Sequence, residues 1–228
     1  MARRFHAVPK VILPPPSEVW RVLTAGWPPI LPHAVPTMLK ALAGFVIASV
    51  LGIALAGAIT YSNLLREALY PNMVLFQLIP KIALAPLFII WLGIGAESRL
   101  SFATFISFFP IVVATATGLS QIHPDTIRLG HSLTATKWQI FRTTRFPFAL
   151  PYIFSGLKIA ITMSMIGVIG GEFITAQEGL GYLIPFASSK AETSLVLARI
   201  AILCVIGLGF FGIVAMIERL VKHVYGSF

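Results

Sequence analysis

Acidic residues are scarce in this chain: 8 Asp and Glu stand against 17 Lys and Arg in 228 residues. Charged residues of both signs make up 11% of it, less than half the roughly 25% of a soluble domain. That poverty excludes a water-exposed globule, and the 57% hydrophobic content assigns the chain to a membrane. The single cysteine, Cys204, lies inside an apolar run, which excludes an internal disulfide and a thiolate zinc cluster. G-x-x-x-x-G-K-[ST], H-E-x-x-H and G-x-S-x-G are all missing. The chain therefore has no P-loop for ATP, and neither enzymatic chemistry nor a cofactor or metal is expected of it. Its formal net charge of +9 would suit nucleic acid, but the basic residues lie between apolar runs rather than on one polar face. No nucleic-acid partner is expected; cationic loops beside a lipid bilayer account for the same charge. Nor does an apolar stretch with a small-residue cleavage site follow the basic start, Met1–Lys10, so no secretory leader is read.

What the chain has instead is greasy runs. Segments at about 37–60, 71–93, 100–119, 156–176 and 194–217 are each long enough for a hydrocarbon core of ~30 Å. The expected fold is an all-α integral membrane domain over residues 37–228 with five spans, preceded by a Pro-rich segment at 1–36. That segment reads as irregular, except for a short interfacial helix capped by Ser17 and carrying Val19, Trp20, Val22 and Leu23. Residues 61–70 and 177–193 read as polar links. In the first span Gly44, Ala48, Gly52 and Ala56 recur at four-residue spacing. This is either a close-packing stripe or the ordinary small-residue content of membrane helices. The second span is interrupted by Gln77, Pro80, Lys81 and Pro86. An intramembrane lysine is a candidate for a solute pathway; the alternatives are a kinked segment from which Lys81 snorkels, or a pair with Glu172. The third span carries Pro110 midway. In the fourth, Lys158 snorkels at the start and Gly167, Gly170 and Gly171 precede Glu172.

The longest polar interruption is residues 122–150, with Arg128, Lys137, Arg142 and Arg145 against one acid, Asp125. Pro124 suits a first helical turn and Asp125 complements its dipole. Ile127, Leu129 and Leu133 make a partial apolar stripe, a break follows at Thr134 and Ala135, and Thr136 to Gln139 reads as a capping box opening a second helix. Pro147 and Pro151 are expected to bend the chain into the fourth span. A basic helix–turn–helix outside the bilayer is either a docking surface for a soluble partner or a solvated loop that only fixes topology. Counting Lys and Arg puts this loop and the C-terminus in the cytoplasm. Residues 1–36 then fall outside despite Arg3, Arg4, Lys10 and Arg21, a conflict that a further upstream span would remove.

Four runs, at residues 13–20 (LPPPSEVW), 78–95, 123–160 and 170–184, carry a family likeness in family order. Together they resemble the permease subunit of binding-protein-dependent ABC importers of the nitrate, sulfonate and taurine type. The run at 123–160 is similar to the family's cytoplasmic coupling loop: Ser132-Leu133, Ala135, Trp138 and Leu150-Pro151 match. It departs where the family has Glu-Ala-Ala and this chain has Arg128-Leu129-Gly130, and where a turn glycine is replaced by Thr134. The resemblance implies an ATP-driven importer in the bacterial cytoplasmic membrane. Its other parts would be a second permease subunit, two cytoplasmic ATPases and an external solute-binding protein, with a small solute as cargo, an anion if Lys81 meets it. Asp125, Arg128, Leu129, Ser132, Leu133, Thr134, Lys137 and Trp138 would dock the ATPase, and Gln77, Pro80, Lys81, Gly170, Gly171 and Glu172 would line the solute path. Two other readings stay open: a channel or secondary carrier without an ATPase, and a degenerate partner subunit with weakened coupling.

Overall fold

The computed structural model describes residues 13–25, 27–175 and 178–225. Met1–Lys10, with Arg3, Arg4 and Lys10, lies outside the described residues, as do Ala176 and Gln177. The described residues are helical nearly throughout, and no strand occurs among them. In chain order the helices are α1 (Pro16–Ala25), α2 (Trp27–Tyr61), α3 (Asn63–Leu78), a 3-10 turn (Lys81–Leu84) running into α4 (Ala85–Leu92), and α5 (Ala96–Ser120). Then come α6 (Pro124–Ser132), α7 (Lys137–Ile140), a π turn (Phe141–Arg145), α8 (Phe146–Thr175), α9 (Leu180–Ser189) and α10 (Thr193–Tyr225).

α5 forms the centre, with α2 and α8 packed along it. Small residues explain how closely these backbones meet. On α2, Ala41, Ala48 and Ala56 are wholly buried. A Cβ at Gly44 would stand 3.0 Å from Ala103 Cβ, and one at Gly52 would stand 3.0 Å from Ile111. The four-residue stripe is thus the buried face of α2, in the manner of small-residue interfaces between membrane helices. On α8, a Cβ at Gly156 would be 2.8 Å from Ala114, and one at Gly167 2.8 Å from the Ala103 backbone. Within their most apolar stretches α5 and α8 are 61% and 56% buried, whereas α2 and α10 are 28% and 22%. The latter two therefore present most of their apolar surface outward.

Four helical stretches are long and apolar enough to cross a bilayer: Ile30–Tyr61, Ala96–Ser120, Lys137–Ile174 and Thr193–Tyr225. The interrupted second span expected at 71–93 is two pieces, Leu64–Leu78 and Lys81–Leu92, bent by 92°. Pro80 lies at the bend, where its missing N–H and fixed φ end the first piece. Other boundaries also differ from the sequence reading. Residues 27–36 are helical: Pro32 and Pro36 sit inside α2, within its first three turns. Residues 61–70 begin α3, capped by the Ser62 side chain, which accepts from the Leu65 N–H. Residues 177–193 contain α9 rather than a polar link.

Nor do Pro147 and Pro151 break the chain; both fall within α8. The π turn stands immediately before them, with the Phe146 N–H donating to the Phe141 carbonyl five residues back. Widening the helix there relieves the contact Pro147 would make with the preceding turn, so loop and span run on without a joint. Lys158 does not snorkel free: it pairs with Glu218 on α10, which also holds Lys222 at 3.1 Å.

Candidate functional site: the basic loop and the broken span

The loop between α5 and α8 is a compact helical hairpin. α6 ends with the Leu133 N–H donating to Leu129 (3.1 Å) and the Ala135 N–H donating to Gly130 (3.1 Å). This six-to-one bond closes the helix end and requires a left-handed residue in front of it. Thr134 is that residue, with φ +57°. A β-branched side chain in this region is strained by about 1–3 kcal/mol, so the turn keeps a glycine-type geometry without a glycine. The next turn starts on the expected capping box: the Thr136 side chain accepts from the Gln139 N–H, and the Gln139 side chain accepts from the Thr136 N–H. Gly130 lets the two arms close, since a Cβ there would be 3.1 Å from Ile140, itself buried.

What the hairpin leaves outside is apolar. Leu129 is 60% exposed, Leu133 70% and Trp138 68%. Trp138 stacks on Phe141 at 5.5 Å, which fixes the indole without covering it. Ser132 donates to the Leu129 carbonyl, so its hydroxyl is used locally. Asp125 is shared between Arg128 (3.1 Å) and His123 (3.3 Å). Lys137, Arg142 and Arg145 have no ion-pair partner among the described residues.

The second cluster is the bend in the broken span. Pro80 and Lys81 line a hollow of about 250 Å³ with Ile82, Phe102, Ile106 and Met163. Lys81 donates back to the Gln77 carbonyl at 3.1 Å and lies 5.9 Å from the centroid of the Phe109 ring. Gln77 donates to the Phe109 carbonyl at 3.4 Å. Gly170 lies behind Ile82, from which a Cβ at this position would stand 3.6 Å, and is not itself part of the lining. Gln77, Pro80, Lys81 and Gly170 therefore come together around one bend.

Glu172 and Gly171 do not join them. Gly171 provides room for Arg99, whose Cγ would be 2.8 Å from a Cβ there. Glu172 is 1% exposed and fully engaged. Its carboxylate accepts from the Thr37 hydroxyl and the Gly181 N–H, each at 2.9 Å. Thr37 in turn accepts from the Leu180 N–H at 3.0 Å, and His33 Nδ1 accepts from the Gly179 N–H at 3.2 Å. Glu172 thus ties α2, α8 and the start of α9, and the pair with Lys81 does not form. Two glycines are required here: Gly179 has φ +103°, and a Cβ on it would fall 2.2 Å from the Glu172 carboxylate. Just outside, Lys40 and Glu178 pair at 2.8 Å, and this bond holds the Glu178 carboxyl below its ordinary range. Thr37, His33 and Lys40 were not anticipated. The only local hint was the Gly-x-Gly spacing at 179–181 shortly after a lone acid.

The profile of the family described as "Binding-protein-dependent transport system inner membrane component" matches residues 48–223. The chain belongs to this family. The riboflavin transport system permease protein of Chloroflexus aurantiacus is 32% identical over 216 residues, covering 93% of this chain and 80% of that protein. The taurine transport system permease protein of Escherichia coli is 29% identical over 203 residues, covering 86% and 74%. Among solved structures, the inward-facing MetNI methionine ABC transporter superposes with a TM-score of 0.65 at 20% identity, covering 84% of this chain and 94% of that one, a likeness of fold.

As an importer permease of the inner membrane, the chain supplies the helices that solute crosses between. ATP hydrolysis lies in a separate subunit, and a solute-binding protein is a further part of such a system. The sequence readings as a channel or carrier without an ATPase are set aside by this membership.

Proposed function

We propose that residues 124–139 are the docking element for the ATPase and that they face the cytoplasm. The observation that carries this is the rigid hairpin presenting Leu129, Leu133 and Trp138 to solvent, continuous with a span. Exposed leucines and a fixed tryptophan are what a partner's groove buries, and each such side chain is worth about 1.5–3 kcal/mol on burial. Arg128 and Lys137 set register and sign. The surplus of Lys and Arg on this side supports the cytoplasmic assignment, and with it a cytoplasmic C-terminus. On this reading the bent pair counts as one crossing, giving five spans. Closure of two ATPases pushes on α6 and α7, and the unbroken helix through the π turn carries that movement into α8. A second permease subunit faces this one across the solute path.

The hollow at Pro80 and Lys81 is the stretch of this chain that meets the solute. Its lysine suits an anionic group, such as the sulfonate of the taurine carried by one relative. Deleting residues 124–139 is expected to abolish co-purification of a P-loop ATPase while the protein still inserts in the membrane; retained ATPase contradicts the docking role. Lys81→Ala is expected to lower uptake without loss of assembly, and unchanged uptake removes Lys81 from the path.

A further inference from the structure

Where the hairpin meets the end of α2 there is a cleft of about 240 Å³, lined by Gly57, Thr60, Tyr61, Ile127, Lys137, Ile140, Phe141 and Arg145. Its two cations come from different elements, α7 and the π turn, and none of the lining residues is acidic. The nearest acid in sequence, Asp125, is already engaged by Arg128 and His123. Two like charges turned into one cleft repel each other unless an anion joins them. The rest of the lining is unlike a site for a free ion, because Gly57, Ile127, Ile140 and Phe141 make its walls apolar.

α2 shows where an apolar group would come from. Val46, Val50, Ala54, Ala58 and Tyr61 are all exposed and follow one another at helical spacing. This stripe runs from mid-span to the mouth of the cleft. The Tyr61 hydroxyl adds a donor at the rim, while the Thr60 hydroxyl is committed to the Ala56 carbonyl. Gly57 borders open space at the entrance: a Cβ there would meet nothing within 4 Å, so a larger side chain has room to extend into the cleft.

We propose that this cleft binds the phosphate headgroup of an anionic phospholipid. Lys137 and Arg145 grip the phosphate, and the acyl chains lie along the exposed stripe of α2. The bound lipid would brace the hairpin against the end of α2, joining elements otherwise held by few contacts. The site shares Lys137 with the proposed docking surface, but Gly57, Tyr61 and Arg145 lie outside it, so lipid retention by a Gly57 variant reads the cleft apart from ATPase docking.

The test is native mass spectrometry of the detergent-purified full-length chain, exchanged into phosphatidylglycerol or phosphatidylcholine. Phosphatidylglycerol is expected to be retained at least tenfold better. The double variant Lys137→Gln/Arg145→Gln should lose that preference. Gly57→Leu, which fills the entrance and leaves every charge in place, should lose it too, and it carries the test if the double variant fails to fold. Equal retention of both lipids by the wild type, or an undiminished preference in Gly57→Leu, overturns the proposal. Displacement of phosphatidylglycerol by millimolar inorganic phosphate also overturns it, since the ligand would then be a soluble anion.

Discussion

The two ends of α2 treat charge in opposite ways. Near Thr37, Glu172 is buried and its carboxylate is held by the Thr37 hydroxyl and the Gly181 N–H; Gly179 and Gly181 are there because nothing larger fits. About 30 Å along the same helix, at Gly57 and Tyr61, the neighbouring Lys137 and Arg145 form no ion pair among the described residues, and leucines and a tryptophan lie open. A closed polar network fixes one geometry, whereas an open charged surface waits for a partner. The first end anchors three helices. The second is where we propose that other molecules attach.

The largest contrast should come from one substitution made at each end. Gly179→Ala puts a side chain on a backbone at φ +103° and into the Glu172 carboxylate, and should cost about 4 kcal/mol. Gly57→Ala meets empty space within a helix and should stabilise by up to about 1 kcal/mol. Thermal unfolding in mild detergent measures both; equal effects would erase the distinction between the ends.

Next in size is the double variant Leu133→Ala/Trp138→Ala. It should weaken ATPase binding by about 2 kcal/mol or more, on the order of 30-fold, with no change in unfolding temperature. A drop in stability with unchanged binding would mean that these side chains pack within the chain.

A smaller effect is expected at the hairpin turn. Thr134→Gly should relieve about 1 kcal/mol of strain at φ +57°. Slower amide exchange across residues 124–140 is the readout, and faster exchange would show that Thr134 is held there without strain.

Smallest is the pH response of the Lys40–Glu178 pair. The folded-state carboxyl lies below its ordinary range, so the pair contributes fully above about pH 4–5 and fades as pH falls through the lowered value. Glu178 is half exposed, and the contribution is no more than about 1 kcal/mol. Comparing the acid side of the stability profile with Glu178→Gln measures it; identical profiles would remove the pair from the account.

Local patterns were legible before the structure, and long-range ones were not. The small-residue stripe of α2 repeats every four residues, so its buried face could be read directly. The capping box at Thr136 and Gln139 spans one turn; the replacement of a turn glycine by Thr134 was visible only through the family resemblance. Proline misled at α2 and α8 and not at Pro80. Pro32 and Pro36 do not stop α2, and Pro147 and Pro151 do not break α8, because an adjacent π turn absorbs the mismatch. Pro80 does break its span, by 92°. Which of these happens depends on what can shift nearby, and single-residue propensity does not carry that. Thr37, which donates to Glu172, lies 135 residues away, and Lys158 finds Glu218 on another helix. No periodicity connects such pairs, so Glu172 read as a pathway acid when its contacts make it an anchor.

The central claim is that the hairpin of α6 and α7 is the face on which the ATPase acts. Cys204 is the only cysteine, so a Cys204→Ser background carrying Leu133→Cys gives a single reporter at the tip. Labelling with a membrane-impermeant thiol reagent is the direct measurement. The account predicts no labelling in intact, right-side-out cells, labelling in inside-out vesicles, and protection there when the ATPase is co-expressed. Labelling in intact cells, or equal labelling with and without the ATPase, would contradict it.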